Sequence, residues 1–352
     1  MSDKKTTYRE HTDMENTLKL RQVLATLPPF CKDYFRAIDT TTTAKTRISY
    51  AYDIRIFFQF LLDENPAFKD HAMTDFTVDV LDQIKAVDLE EYQEYLKLYQ
   101  SGDKTETNGE RGLKRKISAL RSFYAYYYKR EMIHTNPTVL IDVPKIHEKS
   151  IIRLDTDEVA MLLDYIEHCG DTLTGQKRVF YEKTKERDLA IVTLLLGTGI
   201  RVSECVGLDI EDVDFKNNGI KVTRKGGNEM VVYFGPEVEK ALKRYLEVRE
   251  GIIPLAGHEH ALFYSAQRKR IGVQAVENMV KKYSRQITTT KKITPHKLRS
   301  TYGTALYQET GDIYLVADVL GHKDVNTTKK HYAALDDARR RQAATAVKLR
   351  EE

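Results

Sequence analysis

Leu189-Ala190-Ile191-Val192-Thr193-Leu194-Leu195-Leu196 is apolar almost all round. A helix with no polar face has to be covered on every side, so residues 187–196 predict a helix buried at the centre of a domain. The run is far shorter than the ~20 residues a bilayer-spanning helix needs. It halts at Gly197-Thr198-Gly199, and Ile200-Arg201-Val202-Ser203-Glu204 then resumes helical composition. A glycine break followed by a helix start gathers backbone N–H groups and Arg201, an arrangement suited to phosphate. The competing assignment for Arg201 is an ion pair with Glu204, one turn further on.

The 352 residues give room for two domains with separate cores. Residues 1–17 are polar and without period, which predicts a flexible tail. From 18 to 140 every segment reads as helix. Leu18, Leu20, Val23, Leu24 and Leu27 mark one short helix stopped by Pro28-Pro29. Further helices are expected over 43–62, 90–99 and 112–131, and Asn136-Pro137 ends the bundle. Residues 141–150 read as an extended linker. Asp155 and Glu158 then have capping-box spacing ahead of a stripe of Val159, Leu162, Leu163 and Ile166.

From Val213 to Phe234 the period switches to two, with turn signals at Asn218-Gly219 and Gly226-Gly227. Helices follow over 236–249 and 273–285, with a short strand at Ala261–Tyr264 between them, and a last helix is expected over 336–349. The chain is thus mainly α with a small antiparallel β-sheet, the sheet lying in an α+β domain over 151–352.

Hydrophobic content of 41%, charged content of 31% and a net charge of +4 suit a soluble helical protein and mark it only mildly basic. The distribution says more. Between Ser265 and Arg299 stand ten Lys or Arg and one acid, Glu277, a footprint for a polyanion or a solvated basic face. Candidates for DNA contact are Arg224, Arg268, Arg270, Lys291 and Lys292 here, and Lys114, Arg115, Lys116 and Arg121 in the last helix of the first domain. The aromatics behind that second group, Phe123 to Tyr128, read as core. Cys31, Cys169 and Cys205 are odd in number and far apart, which favours a reducing cytosol. Met1-Ser2-Asp3-Lys4-Lys5 has no apolar core for a signal peptide. His258-Glu259-His260 lacks a third ligand and is set aside as a metal site.

Thr294 to Tyr332 concentrates the remaining chemistry. Thr294-Pro295-His296-Lys297-Leu298-Arg299 predicts a helix capped by Thr294, with Pro295 in its first turn and His296 and Arg299 on one face. A second helix, 312–320, ends at Gly321-His322, and a third begins near Asp324 and carries Tyr332. Two imidazoles, a guanidinium and a phenol lie on short helices with no carboxylate at ligand spacing. That set suits a phosphate better than a metal.

Taken together, Thr198-Gly199-Ile200-Arg201-Val202-Ser203-Glu204, the hairpin Lys225, His296-Lys297-Leu298-Arg299, Leu320-Gly321-His322 and Tyr332 resemble the tyrosine recombinases, the phage-integrase superfamily, in order and separation. The resemblance implies a two-domain DNA clamp, with 18–140 as a SAM-like core-binding domain and 151–352 as a catalytic domain with a C-terminal exchange helix. It implies Tyr332 as the nucleophile that forms a 3′-phosphotyrosyl link. Arg201 and Arg299 would grip the non-bridging oxygens, His296 and His322 would assist by hydrogen bonding and proton transfer, and Lys225 would protonate the leaving 5′ oxygen. Glu204 is a supporting residue. No cofactor and no metal are implied, since two arginines and a lysine supply the positive charge. The implied partners are duplex DNA with an inverted-repeat core site and a homo-tetramer on two sites, or a hetero-tetramer with a second recombinase, under an accessory translocase.

The pattern departs from the family in two places. His322 and Tyr332 are ten residues apart where many members have nine, and Ser300 follows Arg299 where many have another histidine. His331, beside the nucleophile, reads as a packing residue. The front of the chain is shorter than an added arm-binding domain needs, so the layout is closer to the Xer type, which resolves chromosome dimers in the bacterial cytoplasm on the nucleoid, than to a mobile-element integrase. A type IB topoisomerase and a non-catalytic DNA-binding protein are the rivals from other classes. The full set of six catalytic residues weighs against the latter.

Overall fold

The computed structural model describes residues 7–147, 151–224, 227–322, 324–326 and 328. The chain divides into two compact units, Met1–Glu148 and Lys149–Glu352. No helix among the described residues is long and apolar enough to cross a membrane.

In the first unit the helices are α1 (Tyr8–Leu24), α2 (Cys31–Ala37), α3 (Ala44–Glu64), α4 (Val80–Gln83), α5 (Ala86–Tyr95) and α6 (Glu110–Tyr128). The stripe Ile54, Phe57, Phe58 and Leu61 of α3 meets Ile117, Leu120, Phe123, Tyr124 and Tyr127 of α6 in one core. Its rings meet edge to face, as in Phe58–Phe123 and Tyr34–Phe123, the geometry their quadrupoles favour. The buried phenols find acceptors: Tyr127 donates to the Phe30 carbonyl at 2.8 Å and Tyr34 to Ser122 Oγ at 2.9 Å.

Three expectations for this unit need correction. Residues 8–17 are helical, not a tail, because Thr7 and Glu10 form a reciprocal cap: Glu10 N donates to Thr7 Oγ1 at 3.2 Å and Thr7 N to Glu10 Oε2 at 2.8 Å. With that cap, burial of Leu20 and Val23 further along holds a helix whose first turns have no apolar face. The unit is not all helix either. β1 (Leu98–Ser101) and β2 (Lys104–Thr107) form an antiparallel hairpin turning at Gly102, φ +59°. Nearly all its side chains are exposed, so it carries no hydrophobic alternation. Finally, the linker begins later than 141, because Ile141 and Val143 pack into the core.

The second unit is built on α8 (Gly175–Thr198), longer than the apolar run alone suggested. Against it lie α7 (Thr156–His168), α10 (Pro236–Glu250) and α12 (Pro295–Thr310). Leu189 to Leu195 are buried, and so is the polar cluster just before them, where Arg187 donates to Asp188 Oδ1 and Tyr283 OH donates to Asp188 Oδ2 at 2.9 Å. α9 (Val202–Gly207) follows the glycine break. β3 (Val213–Asp214), β4 (Gly219–Thr223) and β5 (Glu229–Tyr233) form an antiparallel sheet in sequence order, as the period-two stretch predicted. α11 (Val273–Ile287) and α13 (Ile313–Leu320) complete the described elements. Ala261–Tyr264 is not a strand of its own; only isolated bridges, Asp209 to Ala261 and Tyr264 to Arg270, occur there. The expected helices carrying Tyr332 and over 336–349 lie outside the described residues.

Candidate active site

α8 ends because Gly199 takes the left-handed conformation, φ +62°. The approach is also close: a Cβ at 199 would come within 2.3 Å of Tyr302 on α12 and 2.9 Å of Leu320 on α13. The glycine therefore brings the start of α9 against both helices. Arg201 opens α9, and Glu204 holds it twice. The Arg201 backbone N–H donates to Glu204 Oε2 at 2.8 Å, and Arg201 Nη1 donates to Oε1 at 2.8 Å. Both assignments weighed for Arg201 thus bear on one residue. It is ion-paired, yet about a third of its side chain remains exposed, and its Nη2 lies 3.4 Å from the Gly321 carbonyl.

Arg299 projects from the second turn of α12 and is buried. It donates to the Gly199 carbonyl at 2.5 Å and to the Leu320 carbonyl. His296, one turn earlier, is exposed. Thr294 precedes the helix without a side-chain capping bond, and Pro295 occupies the first turn as expected. α13 ends at Gly321, φ +62°, and His322 follows, its N–H donating to the Ala317 carbonyl at 2.9 Å and its Nδ1 sharing a hydrogen bond with Thr328 Oγ1 at 2.7 Å. Arg201, Arg299 and His322 are therefore brought together around the last turn of α13. Lys225 and Tyr332 lie outside the described residues.

A third arginine joins them. Arg224 is buried, with Nη1 donating to the Leu320 carbonyl at 2.6 Å and Nη2 to the Val319 carbonyl at 2.7 Å. The carbonyls ending a helix lack intrahelical partners and carry the negative end of its dipole, so they attract guanidiniums without cancelling their charge. Burial holds the Arg224 guanidinium below its ordinary value, and Arg201 adds to this against the opposing pull of Glu204 and Asp318. Three guanidiniums beside one buried carboxylate leave a surplus of positive charge, which suits an anion.

The remaining basic candidates separate by environment. Lys114, Arg268 and Lys292 are exposed. Lys116 is buried against Asp53 Oδ1 at 3.1 Å, and Arg115, about half exposed, pairs with the same carboxylate. Arg121 donates to the Thr138 and Ile141 carbonyls at 3.0 and 2.7 Å. Arg270 binds the Val206 and Leu208 carbonyls and Asp209. Lys291 is paired with Asp155 and Glu158 at 2.7 and 2.5 Å. Lys116, Arg121, Arg224, Arg270 and Lys291 thus hydrogen-bond to the protein's own oxygens in this structure, which leaves their expected DNA contacts as proposals.

Residues 152–339 match the model of the Phage integrase family. Tyrosine recombinase XerC of Caldanaerobacter subterraneus subsp. tengcongensis is 33% identical over 336 residues, 92% of this chain and 88% of the relative. This chain belongs to the phage integrase family of tyrosine recombinases. Tyrosine recombinase XerS of Lactococcus lactis subsp. cremoris is 31% identical over 90% of this chain and 93% of its own. Among solved structures, XerH site-specific recombinase bound to a difH substrate aligns with TM-score 0.60 and 21% identity over 86% of this chain and 78% of that one. The Tn1549 transposon integrase aligns with TM-score 0.63 and 20% identity over 90% and 98%. These likenesses give the recombinase its fold, mainly helical with small antiparallel sheets.

Proposed function

We propose that this recombinase cuts and rejoins duplex DNA at a specific site, in the Xer manner, through a 3′-phosphotyrosyl intermediate and a Holliday junction. The convergence of Arg201, Arg299 and His322 on one small, positively charged region carries the reading. The phenol oxygen of Tyr332 attacks the scissile phosphorus, its proton passing to His296 or His322. The P–O5′ bond breaks as the P–O(Tyr332) bond forms, and Lys225 Nζ gives a proton to the departing 5′ oxygen. A tyrosine with pKa near 10 is a weak nucleophile until its proton is taken. The transition state adds charge to the non-bridging oxygens, which the planar guanidiniums of Arg201 and Arg299 match. Glu204 orients Arg201. The covalent link conserves the phosphodiester energy, so religation needs no nucleotide.

The Xer relatives, each at 30% identity or more over nine-tenths of the chain, support chromosome dimer resolution over integration of a mobile element. The partner is then duplex DNA with an inverted-repeat core, engaged by a tetramer on two sites in the bacterial cytoplasm, with an accessory translocase as controller. A nicked suicide duplex carrying the site tests the chemistry: wild-type protein accumulates a covalent protein–DNA adduct on denaturing gels, and Tyr332→Phe forms none. An adduct with the phenylalanine variant would remove Tyr332 from its role.

A further inference from the structure

Arg224 has a structural position that its place in the sequence conceals. It stands at the end of β4, where its backbone N–H donates to the Asn228 carbonyl at 2.8 Å and its carbonyl accepts from Gly227 N–H at 3.0 Å, closing the turn into β5. Its side chain leaves the hairpin and crosses to the end of α13, binding two successive carbonyls, those of Val319 and Leu320. Nη2 also lies 3.4 Å from Met230 Sδ. A Cβ built on Gly321 would fall 2.4 Å from Arg224 Nη1 and 2.7 Å from its Cζ. The guanidinium therefore lies flat against the residue that turns the chain into His322. Leu320 O is shared with Arg299, so Arg224 reaches the same oxygen that anchors one of the two phosphate-gripping arginines.

We infer that Arg224 is a positioning residue of the recombination site, tying the end of β4 to the last turn of α13 beside His322 and Arg299, and thereby serving the proton transfer proposed for its neighbour in the chain, Lys225. The inference rests on that proposed role of Lys225 as the acid for the leaving oxygen. Cα atoms of adjacent residues are about 3.8 Å apart, so a brace on Arg224 acts one residue away from the proposed acid. A hairpin held only by its own strand pairing would leave a proton donor free to swing, and misplacing a reacting group by an ångström costs about 10²-fold in favourable cases. The sequence alone suggested a phosphate contact for this residue; here its two Nη groups each donate to a carbonyl of the same unit, and the salt dependence below separates the two roles.

Arg224→Met keeps the aliphatic length and removes the bidentate donor; Arg224→Lys keeps the charge and one point of contact, and serves if the methionine variant does not fold. Both are compared with wild type and Lys225→Ala on nicked suicide duplexes with either an ordinary phosphodiester or a 5′-bridging phosphorothiolate. The sulfur leaves without needing a proton, since thiols ionise near pH 8.5.

The expected result has three parts. Cleavage of the ordinary duplex falls about tenfold or more, a share of the 10²–10⁴ that a general acid supplies. The thiolate substrate restores most of that loss. The slope of log affinity against log salt stays as in wild type. A slope lower by about one, the mark of a lost phosphate contact, would return Arg224 to DNA binding and overturn the inference. So would an equal loss on both substrates, or no loss on either. Lys225→Ala separates the two levels: if it is rescued by sulfur and the Arg224 variants are not, the positioning role fails alone. If Lys225→Ala is not rescued, the acid assignment itself fails.

Discussion

Each unit of the recombinase buries cations against carboxylates, as Lys116 with Asp53 and Arg187 with Asp188, but beside the candidate site the partners change. In the helical unit Lys116 and Arg115 face the Asp53 carboxylate, which is itself buried between α3 and α6. In the second unit Arg299 and Arg224 face the carbonyls of Gly199, Val319 and Leu320. A carboxylate cancels charge, whereas a carbonyl dipole only solvates it. The first arrangement is closed and holds helices together. The second orders the Arg299 guanidinium without neutralising it, the preorganisation that electrostatic stabilisation of a phosphate would require, with Arg224 as a brace beside it.

Arg201→Ala tests the phosphate-gripping role with the largest effect. Loss of one preorganised donor costs about 3–4 kcal/mol of barrier, or 10²–10³ in rate, so adduct formation by the folded variant at saturating DNA should nearly vanish. The buried Glu204 carboxylate then lacks its partner, so the urea midpoint should fall as well. A folded variant that cuts at the wild-type rate would remove Arg201 from the chemistry. Asp53→Ala is the converse. Removing one partner of a buried pair costs about 3–5 kcal/mol because the other charge stays behind. Urea denaturation should show that loss, and the cleavage rate of the folded, DNA-bound fraction should not change.

The smallest effect belongs to the pair that closes the start of α7. Hydrogen bonding to Lys291 holds the Asp155 carboxyl below its usual range, and Asp155 and Glu158 hold the Lys291 ammonium above its own. A depressed carboxyl stabilises above its unfolded pKa, about 4, and loses that contribution as pH falls through the lowered value. A raised ammonium contributes below its unfolded pKa, about 10.4, and loses it as pH rises through the raised value. Both contributions are present at neutral pH. Lys291→Met should therefore cost about 0.5 kcal/mol at pH 7, the scale of a partly exposed pair. The difference from wild type should shrink at both pH extremes, and thermal melting across that range measures it. A difference that does not vary with pH would assign the loss to packing.

Much of this was legible before any coordinates. The apolar run 189–196 marked the central helix and Gly197-Thr198-Gly199 its end, because burial and left-handed caps leave direct marks on composition. Arg201 and Arg299 stood out through their neighbours. The β1–β2 hairpin did not, because a ribbon whose side chains nearly all face solvent has no alternation to read. Nor could Arg224 be told from Arg268, two residues before Arg270, the bridge partner of Tyr264. Arg224's acceptors lie 95 and 96 residues further along the chain, while Arg268 turns a tight bend at φ +58° with its side chain exposed. Basic residues announce their charge in the sequence; which oxygen they meet is decided by tertiary structure.

One atom, the carbonyl oxygen of Leu320, accepts from a guanidinium on the sheet hairpin and from another on α12. Segments that emerge from the ribosome far apart must all arrive before that oxygen has its two donors. A nascent or partly unfolded molecule therefore lacks the ordered charge that a phosphodiester would meet. The ordered charge at this site thus depends on the completed fold, which acts as its safety catch.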